Sequence, residues 1–520
     1  MNILHNASRR IFLRRSAALT AVVGSAAPLA LNLAALGSAA AQSAGGYRAV
    51  VCLFLYGGND AFNMVLPTDA ASWNAYRTTR TQAPDPIALL PAGTLPNTAA
   101  AAGSPARLGG ILPIAPLNLQ GRSFALHPQL GAVQKLFDTD KRLAILPNVG
   151  PLIMPTTKVQ YASSTFPKPL RLFSHNDQQN TWQALGPEGT TRGWGGRIGD
   201  LLAASNSTSL FTAITAGGNA VFLDGDVVRQ YGVSTNGAVP LGVDSTGKLY
   251  GSADVGAALQ RLVTTTRTTH PFDADLSAVA GRAIDAEQVL RTALRTPSNP
   301  LFGTAPATGA YSAANDPKLR YVNPLTGLEA ANSLALQFQV VARLIDAGMR
   351  GATGVTRQVF FVSLGGFDTH DLQNRNQAVL MAQLAQGLKY FDTTLAGLGA
   401  LNQVTTFTAS DFGRTFTSNG DGTDHGWGGH HFVMGGAVKG GDLYGAFPVL
   451  GLKNASNGNF DSSPDQLGNG SLLPNTSVDQ LGATLAGWFG LSASDALSIF
   501  PNLANFPADQ RNLGFFAQKA

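Results

Sequence analysis

Three apolar runs, each closed by a turn that carries glycine or aspartate, constrain this chain more than any other feature. Ala49-Val-Val-Cys-Leu-Phe-Leu-Tyr56 leads into Gly57-Gly58-Asn59-Asp60. Val359-Phe-Phe-Val-Ser-Leu364 leads into Gly365-Gly366-Phe367-Asp368-Thr369-His370. Val404-Thr-Thr-Phe-Thr-Ala-Ser410 leads into Asp411-Phe412-Gly413-Arg414. Runs rich in β-formers and without polar alternation belong to strands covered on both faces, which is the signature of a parallel sheet in an α/β layer fold. Leu143-Ala-Ile-Leu146 adds a fourth candidate strand, ending at Pro147-Asn148-Val149-Gly150. Helical periodicity over 330–349 and 377–398 supplies crossover helices of the length that parallel neighbours need. A doubly covered, mostly parallel sheet is the expected architecture.

Between these elements lie segments of different character. Residues 80–123 are rich in Pro, Ala and Gly and read as a surface excursion. Residues 205–260 carry short β-prone runs among Gly, Ser and Thr, which suggests hairpins, and an insertion is expected over about 205–325. A last helical pattern falls near 478–498. Gly242-Val-Asp-Ser-Thr-Gly247-Lys248 imitates a phosphate-binding loop, but Leu249 stands where Ser or Thr must meet magnesium, so a turn is expected.

The 520 residues hold one cysteine, so no disulfide framework can form within the chain. Cys52 lies inside an apolar run and reads as a small buried hydrophobe. Lys plus Arg exceed Asp plus Glu by five, but four arginines, Arg9, Arg10, Arg14 and Arg15, sit in the first 41 residues, where there is no acid. The remainder is within one charge of neutral, which excludes nucleic-acid binding by bulk electrostatics. Ser8-Arg9-Arg10-Ile11-Phe12-Leu13-Arg14, a weakly apolar stretch from Ser16 and Ala39-Ala40-Ala41 resemble a bacterial twin-arginine export signal with its cleavage site. Residues 1–41 are therefore expected to be a signal peptide. The domain of 42–520 is expected in the periplasm or outside the cell, with the translocase as a partner during export.

Ligands of open α/β sheets collect beyond the carboxyl ends of the strands. Asp60, Asp368 with His370, and Asp411 would meet there. Carboxylates so placed repel one another unless a cation joins them, and a divalent metal (Zn, Mg, Mn or Ca) is the simplest one. Each acid could equally cap a turn. Asp421-Gly-Thr-Asp424-His425-Gly-Trp-Gly-Gly-His430-His431 gathers three of the eight histidines. Asp424 and His425 are candidate ligands, with His425 favoured. His430 and His431 are adjacent, so on an extended segment at most one faces the site. Arg414 could clamp an anionic group or hold the carboxylates in place. Ser174-His-Asn-Asp177 opens a helix, and Ser174 could cap it or act as a nucleophile beside a metal.

Taken together, the Ser8–Arg14 signal, LYGGNDAFN at 55–63, SHNDQQNTW at 174–182, GGFDTH at 365–370, and SDFGRT with GTDHGWGGHHFVMGG at 410–436 resemble the exported bacterial family known as domain of unknown function 1501. That family is similar to the alkaline phosphatase and sulfatase superfamily. The resemblance implies a three-layer α/β sandwich with a mostly parallel central sheet, loop- and hairpin-rich insertions, and one or two divalent ions. It places Asp60, Asp368, His370, Asp411 and His425 as metal ligands and Ser174 as the nucleophile. Phe412 departs from it, standing where the superfamily usually has a metal-binding histidine. The activity implied is a metal-dependent hydrolase or transferase for phosphate or sulfate esters, acting on an anionic small molecule or an envelope polymer. Two alternatives are a non-catalytic envelope protein that keeps a structural metal and a hydrolase of an envelope polymer.

Overall fold

A computed structural model describes residues 46–240, 242–244 and 246–517. The expected signal segment, 1–41, lies outside the described residues.

Eight strands form the central sheet: β1 (Arg48–Tyr56), β2 (Leu143–Gly150), β3 (Ala213–Thr215), β4 (Tyr231–Gly232), β5 (Arg357–Gly365), β6 (Val404–Ser410), β7 (Gly429–Met434) and β8 (Thr476–Ser477). Their spatial order is β8-β2-β7-β6-β1-β5-β3-β4. Neighbours are parallel throughout, except that β7 runs antiparallel to both β6 and β2. The four expected strands are all present, and three of them form or flank the centre.

Alternation along the strands explains the layers. On β1, Val51, Leu53 and Leu55 face one core with Phe360, Val362 and Leu364 of β5. Helices α4 (Ser333–Met349) and α5 (Gln373–Gly397) cover that face through Phe338, Val341, Ile345, Met381, Leu384 and Phe391. Val50, Cys52 and Phe54 point to the other core, beneath α3 (Trp194–Leu202) and α6 (Val478–Phe489). β1, β5 and β6 are therefore buried along nearly their whole length because each face has its own helix layer. The result is a three-layer α/β sandwich with a mostly parallel central sheet. Cys52 is buried there, as its surroundings in sequence suggested.

The segment expected to hold hairpins is built differently. β3 and β4 join the central sheet in parallel, beside β5, instead of pairing with each other as a hairpin. Their two or three residues are too short to show a period, and burial against β5 decides their pairing. Two helices, Ala253–Thr264 and Pro271–Ala293, and a small antiparallel pair, Arg320–Val322 with Glu329–Ala331, complete the region. In the segment that imitates a phosphate-binding loop the Asp244 carboxylate accepts the Thr246 and Lys248 amides, as in a turn. Among the described residues no helix is long and apolar enough to cross a membrane.

Candidate metal centre at the strand ends

Register brings the site together. Tyr56 lies opposite Gly365 and Leu55 opposite Ser410, so the turns after β1, β5 and β6 leave the sheet at one edge. The hairpin Arg414–Ser418 with Thr423–His425 follows β6 and sets His425 opposite Arg414. Helix α2 (His175–Ala184) begins above these turns.

One ligand atom each from His175, Asp368 and His425 lies within 4.8 Å of the others. Asp368 Oδ1 is 3.3 Å from His425 Nε2, and its Oδ2 is 3.4 Å from His175 Nε2. Donors held 2.0–2.1 Å from a tetrahedral zinc lie about 3.3 Å apart, close to each of these two contacts, which use different oxygens of Asp368. His370 flanks the group, with Nε2 3.2 Å from Asp368 Oδ1 and 2.9 Å from His425 Nε2.

Both histidines of the trio are oriented from behind. His175 Nδ1 donates to Asp411 Oδ2 at 2.6 Å, and that oxygen also accepts from Gln179 Nε2 at 2.8 Å. The Gly57 amide donates to the other oxygen at 3.1 Å. Asp411, fully buried, thus stands behind His175 instead of joining the trio. His425 Nδ1 donates to the carbonyl of Phe173 at 2.7 Å. Phe173 adopts φ 72°, a left-handed conformation unusual for an aromatic residue, and this conformation turns its carbonyl toward His425. In each ring the occupied Nδ1 leaves Nε2 as the outward-facing nitrogen, the arrangement that metal-binding histidines use.

The remaining expected residues divide clearly. Arg414, fully buried, donates from Nη1 to Asp368 Oδ1 at 2.7 Å and to the Gly57 carbonyl at 3.2 Å. Its Nε and Nη2 go to Thr423, so the guanidinium holds a carboxylate instead of clamping a free anion. Asp60 is drawn elsewhere. It pairs with buried Arg80 through both oxygens, at 2.5 and 3.0 Å, and accepts Gln373 Nε2 at 2.5 Å. Asp424 lies at the periphery, 3.2 Å from His370 Nδ1. His430 and His431 take opposite faces of β7, as adjacency requires: His430 packs on Phe447 and His431 on Trp182. Neither enters the trio. Phe412 packs its ring against both His175 and His425, with centroids 4.9 and 4.6 Å apart, and so gives them an apolar floor.

Ser174 precedes α2, but its side chain does not cap the helix. The hydroxyl donates instead to Asp177 Oδ2 at 2.8 Å. His175, the next residue, was not singled out from sequence. The signal available was its place beside the motif serine, but nothing local revealed that it would meet Asp411, 236 positions away.

Electrostatics follow from these contacts. The Asp411 hydrogen bond raises the His175 pKa, outweighing the opposing effect of burial. Burial lowers that of His425, with His175 and Arg414 acting in the same direction. Burial works against a charged Asp368, yet the Arg414 hydrogen bond and the charges of Arg414, His175 and His370 keep its pKa below the usual value. The centre therefore offers a carboxylate and two imidazoles whose proton affinities are shifted in opposite directions.

Residues 304–491 match the family described as Protein of unknown function (DUF1501). The resemblance read from the motifs is thus borne out over that stretch. A comparison with curated proteins finds no match. Among solved structures, the chain is similar to i-CgsB in complex with k-i-k-neocarrahexaose, at 8% identity and a TM-score of 0.32, covering 90% of this chain and 78% of that one. It is also similar to a structure from work on the metabolism of multiple glycosaminoglycans by Bacteroides thetaiotaomicron, at 12% identity and a TM-score of 0.33, covering 92% and 78%. At such scores the chemistry has to be read from this chain's own side chains.

Proposed function

We propose that the chain is an exported, divalent-metal-dependent hydrolase or transferase acting on phosphate or sulfate esters. The observation that carries this reading is the convergence of His175, Asp368 and His425, each already oriented by a second partner. Three protein donors with solvent access are the usual arrangement of a catalytic site, which keeps a position open for substrate. A divalent ion bound there supplies positive charge for the ester's anionic oxygens.

The chain's own groups have separable roles. His175 and His425 present Nε2, and Asp411 and the Phe173 carbonyl keep each ring from rotating. Arg414 fixes the Asp368 carboxylate. Phe412 excludes water from one side of both rings. Ser174 Oγ attacks at phosphorus or sulfur as its proton passes to Asp177, the bond to the ester oxygen breaks and that oxygen leaves with the proton from Asp177. Water or an acceptor hydroxyl, giving its proton to Asp177, then takes the group from Oγ and restores the serine. The twin-arginine pattern at Ser8–Arg14 supports export, and an anionic small molecule or envelope polymer is the substrate class.

Hydrolysis of aryl phosphates and aryl sulfates by purified protein, with and without chelator, tests the proposal. Chelator-sensitive turnover that falls at least a hundredfold in Ser174→Ala and in His425→Ala is expected. Turnover indifferent to both changes contradicts it.

A second reading, a non-catalytic envelope protein with a structural cation, is favoured by one observation. Arg414 directs its donors to protein oxygens and so lacks a free fork for a substrate anion. Metal-replete protein inactive on every ester would favour this reading.

A further inference from the structure

At the far end of α5 a cavity of about 460 Å³ is lined by Lys318, Arg320 and Lys389, with Pro300, Pro317 and Tyr390 among its walls. No carboxylate lines it. Lys318 Nζ donates to the carbonyl of Pro300 at 2.6 Å, a neutral partner. Lys389 makes no hydrogen bond or ion pair among the described residues. Arg320 meets the exposed Glu329 at 3.4 Å. The carboxyl end of α5, at Gly397, brings roughly half a negative charge, which offsets only part of the charge of the two lysines.

An adjoining cavity of about 510 Å³, reached across Lys389 and Thr393, has the opposite character. Its own two cations are matched: Lys135 pairs with Asp140 at 2.7 Å, and Arg142 with Asp392 through two bonds of 2.8 and 2.7 Å. Lys389 lines both cavities, whereas Lys318 and Arg320 line the first alone, where no carboxylate faces them. Lys389 follows Gln373, which touches Asp60 near the metal centre, by 16 residues of helix, or about 24 Å. This is a separate place on the molecule.

We propose that this cavity is a second site, for a sugar-sized polyanion that carries two or more phosphate or sulfate groups. Its volume suits a small ligand. Lysines on flexible stems serve as point charges toward such groups, whose positions vary from one sugar to the next. The unmatched ammonium groups of Lys318 and Lys389 give the ligand two anchors, with Arg320 as the third charge. The inference is independent of catalysis at the metal centre.

Calorimetric titration of the whole chain at low salt tests it, using sucrose octasulfate, neutral sucrose, inorganic sulfate and inorganic phosphate. Saturable binding of sucrose octasulfate and none of sucrose is expected. The double variant Lys318→Ala/Lys389→Ala weakens it at least tenfold, while Lys135→Ala and His425→Ala bind as the parent does. Inorganic sulfate or phosphate binding equally well through the same two lysines assigns the site to the free oxyanion instead of the sugar-borne one. No saturable binding, or binding unchanged in the double variant, overturns the proposal, and circular dichroism of each variant separates misfolding from loss of the site.

Discussion

Asp60 and Asp368 follow near-identical turns, Gly-Gly-Asn-Asp and Gly-Gly-Phe-Asp, yet one is structural and the other faces the centre. The difference is made by Arg80, which α1 (Ala70–Arg80) places against Asp60, with further bonds to the Thr415 and Phe416 carbonyls. Asp368 keeps 45% of its side chain exposed and meets three histidines. Removing one member of a buried pair strands the other, so Asp60→Ala should cost about 3–5 kcal/mol in urea unfolding. Unchanged stability would show that the pair is incidental. Gly57 has φ 114°, and a Cβ there would lie 2.3 Å from the Asp368 amide. Gly57→Ala should therefore displace the turn that carries Asp368 and lower metal affinity at least tenfold by calorimetry, and wild-type affinity would show that the turn adapts. The acids and His425 could be read as candidates because glycine-flanked polar residues stand out after apolar runs. Their sorting into ligand, support and ion pair could not, because each partner lies on another element.

At the scale of elements, α2 contributes most to the centre per residue. Its first turns supply His175 and Gln179, and the residue two before it supplies the carbonyl for His425. Gln179 touches Asp411 and not the ligand group, so Gln179→Ala should weaken metal binding 10–100-fold with the helix intact, a loss that supporting hydrogen bonds typically account for. Equal affinity with an unchanged circular dichroism spectrum would show that Asp411 orients His175 without support from Gln179. The long strands β1, β5 and β6 were legible because burial on both faces leaves continuous apolar runs. β3, β4 and β8 are two or three residues each, and their pairing comes from neighbours.

Across the whole molecule, three buried histidines set the acid limit. Burial pushes the pKa values of His127, His430 and His431 from 6.5 down to about 3. Above pH 6.5 both folded and unfolded chains keep them neutral. Below it only the unfolded chain gains protons, so stability falls as pH drops from 6.5 toward 3, by roughly 2 kcal/mol per histidine at pH 5. Asp479 acts in the opposite sense, since burial raises its pKa from 3.8 to about 6 and the folded chain takes up that proton first, returning roughly 1 kcal/mol at pH 5. Urea midpoints should therefore drop steeply between pH 7.5 and 5, and a flat profile would show that these imidazoles reach solvent.

The central claim is that His175, Asp368 and His425, brought together from a helix start, a strand end and a hairpin, hold one divalent ion. Equilibrium dialysis against zinc, with the bound metal counted by mass spectrometry, addresses it without reference to any substrate. The parent chain and Asp424→Asn should each retain an ion, while His425→Ala and Asp368→Asn bind at least tenfold more weakly. A parent chain that takes up no zinc, or a His425→Ala variant that matches it, would contradict the account.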